Sequence, residues 1–157
     1  MAGGEIIGAA VGILMLIIVA YLVVGSTLST AELVTNTQKE VTQQNEARLN
    51  TNIRILDSDV VSGKLYLNVT NTGNEIIGNF KNMDFYVTNP GMAPSYYSFS
   101  NTTTAITLSD GSPESIHLNL LDPGEVLRVQ IEGTSAVAGS EVMVVTSNGV
   151  AGSASVT

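Results

Sequence analysis

Cysteine is absent from this chain of 157 residues, and lysine and arginine together number only six. Without thiols there can be no disulfide and no thiolate zinc site, so any core must stand without staples. Against fourteen aspartates and glutamates, the few bases leave a formal charge of −8 and a pI near 4.3. That balance argues against a nucleic-acid partner, which requires basic surface to neutralise phosphates. Neither Pro nor Gly occurs in residues 28–50, so nothing there interrupts a helix. Beyond that stretch about 105 residues remain, one domain's worth, enough for a modest sandwich core but not for a large enzyme.

No lysine or arginine precedes the one long apolar run, residues 6–24, and no charge enters it. A helix needs ~20 apolar residues to cross a bilayer core of ~30 Å. The run therefore predicts a membrane span marked by Ile6, Ile13, Leu14, Leu16, Ile17 and Val24, within an anchor at 1–27. A removable secretory signal would carry a basic leader and an apolar core of only ~7–15 residues. The small residues at 25–30 would suit cleavage, but the missing base and the longer run favour a retained anchor. A pilin-type cut after Gly4 would leave Glu5 leading the run; the basic residues expected before such a site are missing too.

Orientation follows from what each side could do. The positive-inside rule counts Lys and Arg within ~15–20 residues of the span, and only Lys39 lies near that margin. A tail of four or five residues holds no cytoplasmic function, so the Thr/Asn/Ser-rich bulk is expected outside the cell. Residues 28–51 read as a polar helical stalk. Val34 and Val41 are seven apart with Gln38 and Asn45 near the same stripe, too polar a seam for a stable coiled coil. Helical from Glu5 to Asn50, the segment would be about 70 Å long, leaving roughly 35 Å beyond the bilayer.

After Asn50 the hydrophobic period changes to two. Leu65, Leu67 and Val69 alternate with Tyr66, Asn68 and Thr70, as in a half-buried strand. Further strand patterns fall at residues 53–61, 83–87, 105–108, 116–120, 126–131 and 141–146, with 150–156 closing the set. Asp122-Pro123-Gly124-Glu125 has Pro and Gly at the centre of a type II turn. Asn148-Gly149 is a strong hairpin signal, since both residues tolerate positive φ. Asn71-Thr72-Gly73-Asn74 punctuates another strand exit. The fold class is mainly β: an N-terminal transmembrane helix continuing into the stalk, then an antiparallel Ig-like β-sandwich at 52–157.

The order of these segments resembles the archaellum accessory proteins F and G, related components of archaeal motility. The likeness rests on the uncleaved span and the junction Asn45-Glu46-Ala47-Arg48-Leu49-Asn50-Thr51-Asn52-Ile53. It rests also on Leu67-Asn68-Val69-Thr70-Asn71-Thr72-Gly73, on Leu121-Asp122-Pro123-Gly124-Glu125 and on Val144-Val145-Thr146-Ser147-Asn148-Gly149-Val150. It covers nearly the whole chain, and the junction is closer to F than to G. Residues 89–104 are longer and more aromatic than the family pattern. The resemblance implies a stator part whose sandwich binds the surface-layer protein or its F/G counterpart, with self-association in G-type members, and localisation to the cell membrane with the bulk in the pseudoperiplasm. The alternative is a pilin- or archaellin-like filament subunit, for which Gly8 and Gly12 supply a small-xxx-small helix face.

No catalytic constellation and no cofactor motif emerge, so the chain is read as non-enzymatic. His117 is the only histidine and is expected on a strand face opposite Ile116, Leu118 and Leu120, as a structural residue. Asp57-Ser58-Asp59 and Asp110-Gly111-Ser112-Pro113-Glu114 lack the ligand rhythm of a calcium loop. Asn68 and Asn101 head N-glycosylation sequons, Asn101 the more accessible in an expected loop. Tyr96, Tyr97 and Phe99 form a candidate protein-binding loop, because Tyr joins a large apolar body to a polar tip. The competing expectation is an ordinary edge strand, since short aromatic runs also form strands.

Overall fold

The computed structural model describes residues 2–78 and 80–157. The chain divides into two compact units, one ending at Gln43 and one spanning Gln44–Thr157. The first is helix alone, part of α1 (Ala2–Asn50). Its apolar portion has no inward face: Ile6, Ile13, Leu14, Leu16, Ile17 and Val24 are all between 58% and 71% exposed. Along the polar portion, the β-branched threonines turn their hydroxyls back onto their own helix. Thr27 Oγ1 donates to the Val23 carbonyl at 2.7 Å, and Thr30, Thr35, Thr37 and Thr42 repeat the pattern four residues back at 2.8–2.9 Å.

The second unit is a sandwich of two four-stranded antiparallel sheets. One has the order β1-β2-β6-β5, with β1 Ile53–Val61, β2 Lys64–Asn71, β5 Thr102–Thr107 and β6 Val126–Ile131. The other has the order β4-β3-β7-β8, with β3 Asp84–Thr88, β4 Ser95–Ser98, β7 Glu141–Val145 and β8 Ala151–Ser155. Alternation places Leu65, Leu67, Val69, Leu127, Val129 and Ile131 against Phe85, Val87, Val142 and Val144, each at most 2% exposed. Each such side chain contributes about 1.5–3 kcal/mol of burial. Along one side the sheets are stitched together: Ser58 Oγ donates to the Ser155 carbonyl at 2.8 Å, and Thr157 N–H to the Ser58 carbonyl at 3.0 Å. A bulge at Leu56 shifts the β1 register beside this seam.

One sequence expectation is corrected here. Residues 116–120 form no strand; Asn119 takes a left-handed φ of 67°, and Leu120 N–H turns back to the His117 carbonyl. The hairpin signalled by Asn148-Gly149 forms, joining β7 to β8, although of the two only the glycine has positive φ, 81°. The link is a longer loop in which Thr146 N–H donates to Val150 C=O and Val150 N–H to the Thr146 hydroxyl. The Pro123-Gly124 turn forms as expected, with Gly124 at φ 87° and Glu125 N–H donating to the Asp122 carbonyl at 3.1 Å.

The last turn of α1 is gripped by the loop after β2. Asn74 N–H donates to the Asn50 carbonyl at 2.8 Å, while Thr72 and Gly73 N–H groups converge on the Asn52 carbonyl. The bond to Asn50 satisfies a carbonyl that a helix terminus leaves unpaired. Asn71 organises the loop from within, fully buried. Its Nδ2 donates to the carbonyls of Glu75 (2.8 Å) and Leu121 (3.0 Å), and its Oδ1 accepts from Gly73 N–H at 3.0 Å. Leu121 C=O keeps a second partner in Ile77 N–H, and Gly73 N–H keeps one in the Asn52 carbonyl, so Asn71→Ala orphans mainly the Glu75 carbonyl. The expected loss is about 2 kcal/mol of stability, measurable by thermal unfolding of the purified chain.

Candidate interaction surfaces

The outer faces of the two sheets differ in character. On β1-β2-β6-β5 the face carries Arg54, Asp57, Asp59, Lys64, Arg128 and Glu132, with Lys64 and Glu132 paired at 2.9 Å. On β4-β3-β7-β8 the central register row reads Tyr96, Tyr86, Met143, Ser153. The Tyr86 and Tyr96 rings lie 5.5 Å apart, and Tyr96 Oη donates to Asp84 Oδ1 at 2.9 Å, which raises its pKa. Tyr is enriched where proteins meet, and this row lies on an exposed face.

The three aromatics singled out from the sequence do not share a surface. Tyr96 is 56% exposed, whereas Tyr97 and Phe99 pack against the core, Phe99 stacking on Phe80 with centroids 6.4 Å apart. The stretch is thus a short edge strand, β4, running into a helical turn at Phe99–Asn101. Tyr86 and Met143 were missed. Their signal was present, since each alternates with buried neighbours (Phe85 and Val87, Val142 and Val144).

A second feature is the loop that bears the only histidine. Glu114 Oε1 accepts the N–H groups of Ile116 and His117, His117 Nδ1 meets Asp122 Oδ2 at 2.6 Å, and Asp122 N–H donates to Glu125 Oε2 at 2.8 Å. Glu114 is held down to about 2 by its hydrogen bond to Glu125 and by the amides it accepts. Burial and that same bond push Glu125 up. The web holds out Ile116 and Leu118, 82% and 66% exposed. The hydrogen bond to Asp122 raises the His117 pKa. A raised value stabilises the folded loop below the ordinary histidine pKa of about 6.5, and that contribution is lost as pH climbs through the folded value. An NMR titration of the imidazole should therefore show a midpoint above 6.5 that Asp122→Asn returns toward it; an unchanged midpoint in the variant would contradict this bond.

Of the two sequons, Asn101 is exposed at the end of the turn before β5. Asn68 lies mid-sheet on β2, half-buried, with Nδ2 3.4 Å from Asp57 Oδ2. Asp59 accepts the Thr157 hydroxyl at 2.7 Å, and Asp110 accepts both the amide and the hydroxyl of Ser112. Among the described residues, no three His, Asp or Glu side chains are grouped as metal ligands.

The chain thus joins an apolar helix to an all-β module of two antiparallel sheets. Residues 3–156 match the archaeal-type flagellin family, and the chain belongs to it; it is an archaellum component. The structure of "The archaeal flagellum of Methanospirillum hungatei strain JF1" is similar over 94% of this chain and 90% of that one, with a TM-score of 0.64 and 18% identity. The archaellum periplasmic stator complex of FlaF and FlaG from Sulfolobus acidocaldarius is similar over 65% and 85%, with a TM-score of 0.50 and 18% identity. FlaG from the same organism aligns over 66% and 97%, with a TM-score of 0.48 and 24% identity. No curated protein sequence matches the chain.

Proposed function

We propose that the chain is a membrane-anchored, non-enzymatic stator component of the archaellum, its sandwich outside the cell and bound to the surface layer or to an F/G-type partner. The observation that carries this reading is where the apolar character of α1 stops. It fills residues 6–24, one bilayer thickness, and then gives way to a helix bearing Glu32, Lys39, Glu40, Glu46 and Arg48. A helix buried on every side is apolar all round; burying this one along its whole length would bury those five charges. A motor turns its filament only against something fixed, and a span carrying an outer binding module can supply that link.

The filament-subunit reading keeps specific support in the family match and in Gly4, Gly8 and Gly12. These recur every four residues on α1, with open space where each Cβ would stand. Deleting the gene separates the two. The stator reading expects cells that still carry filaments but do not swim, with the protein recovered from membranes. Loss of all filaments, or recovery as a repeating constituent of sheared filaments, would overturn it.

A further inference from the structure

Among the described residues, β5 is an outer strand with an undefended edge. Natural sheets blunt their edges with bulges, short strands, proline, charge or cover. β1 has its bulge at Leu56 and the Ser58–Thr157 stitch, and β8 shares that seam through the Ser155 carbonyl. β4 is four residues long and follows Pro94. β5 reads Thr-Thr-Thr-Ala-Ile-Thr, six residues without charge, proline or glycine. Its lower end is covered, since Glu114 N–H donates to the Ile106 carbonyl and Leu108 N–H to the Ser112 carbonyl. Thr102 N–H is taken by Phe99 C=O. The bond from Glu114 shows that Ile106 turns its backbone groups away from β6, and by the alternation of an antiparallel ladder Thr104 does the same. Among the described residues, neither the N–H nor the C=O of Thr104 has a partner.

Beside this gap lies a cavity of about 250 Å³ with Phe80, Ile106, Glu114 and Leu118 on its walls. Leu118 is presented there by the loop described above, whose polar ties fix it before any partner arrives. A fixed loop loses little freedom on binding.

We infer that the β5 edge is a docking groove for an extended segment of another protein, which adds as a further strand, places an apolar side chain against Leu118 and sets a basic side chain near Glu114. Backbone bonds to an open edge with a pocket for alternate side chains form a recurring mode of peptide recognition. The basic residue follows from charge. Asp110 and Glu114 stay ionised, and the chain as a whole carries −8. The same charge argues against a second copy, because β5 contains no base to meet Glu114. This assignment deepens the anchoring reading by naming the face through which a partner would be held, yet its test does not depend on where the chain resides.

The full chain in lipid nanodiscs, screened against a displayed library of random short peptides, tests it. Selected peptides should alternate apolar or β-branched residues and carry Lys or Arg. Synthesised, they should bind at least tenfold more weakly to Leu118→Asp, an exposed position that the fold does not need, and to Thr104→Pro, which removes the free N–H. No enrichment, enrichment of acidic peptides, or binding indifferent to both variants would overturn the inference. So would a dimer of the full chain, seen by sedimentation, that Leu118→Asp dissolves, because the occupant would then be a second copy.

Discussion

Alanine at Gly73 should destabilise the sandwich by about 3 kcal/mol, lowering the unfolding midpoint by roughly 15 °C. The backbone angle is not what demands glycine here, because Gly73 does not have positive φ. Space demands it. A Cβ would stand 2.3 Å from the Asn50 carbonyl oxygen and 2.5 Å from the Asn52 amide nitrogen, and neither is the tip of a flexible side chain. To make room, the loop must leave the end of α1 and give up the bonds from Thr72, Gly73 and Asn74 that hold the junction. Gly63 offers the opposite case, with φ 74° and nothing near its missing Cβ. Alanine there meets only the left-handed backbone penalty, about 1–2 kcal/mol. Melting both variants of the full chain by far-UV circular dichroism compares them directly; equal losses would refute the packing account of Gly73.

The double change Ile13→Arg and Ile17→Arg should release the protein from membranes. On the insertion scale each Leu, Ile or Val near a span's centre contributes roughly 0.3–0.6 kcal/mol, and an Arg there costs roughly 2.5–3.5 kcal/mol. About a dozen such apolar side chains lie between Ile6 and Val24, together worth roughly 5 kcal/mol. Two arginines therefore offset the whole of it, whereas one leaves a margin. Ile13 and Ile17 are 60% and 63% exposed, so the exchange disturbs no protein packing. Membrane pellets washed at alkaline pH should retain the single variants in part and lose the double variant; full retention of the double variant would rule out the lipid-spanning role.

Much of the fold was legible because its signals are local. The exposed apolar helix, the alternation in β1, β2, β6 and β7, and the Pro123-Gly124 turn each announce themselves within a few residues. Residues 116–120 misled because Ile116, Leu118 and Leu120 alternate like a strand. Their conformation is set instead by side chains at 114, 117, 122 and 125 bonding across the loop, which a period count cannot see. β5 begins three residues before the pattern at Ala105, because Thr102, Thr103 and Thr104 carry no hydrophobic contrast. The aromatic stretch was ambiguous for a related reason. Tyr96 and Tyr97 are chemically alike, and only the register of β4 on β3 decides which faces out. The Tyr86–Met143 row joins residues far apart in the chain, so it needed the sheet order, which sequence did not contain.

The central claim is that the leading helix stays whole and in the lipid. Intact-mass measurement on the protein taken from purified cell membranes tests it most directly. The account predicts the entire chain of 16.4 kDa, with or without its first methionine, in the membrane fraction. A chain beginning at Glu5 and recovered with sheared filaments would contradict it.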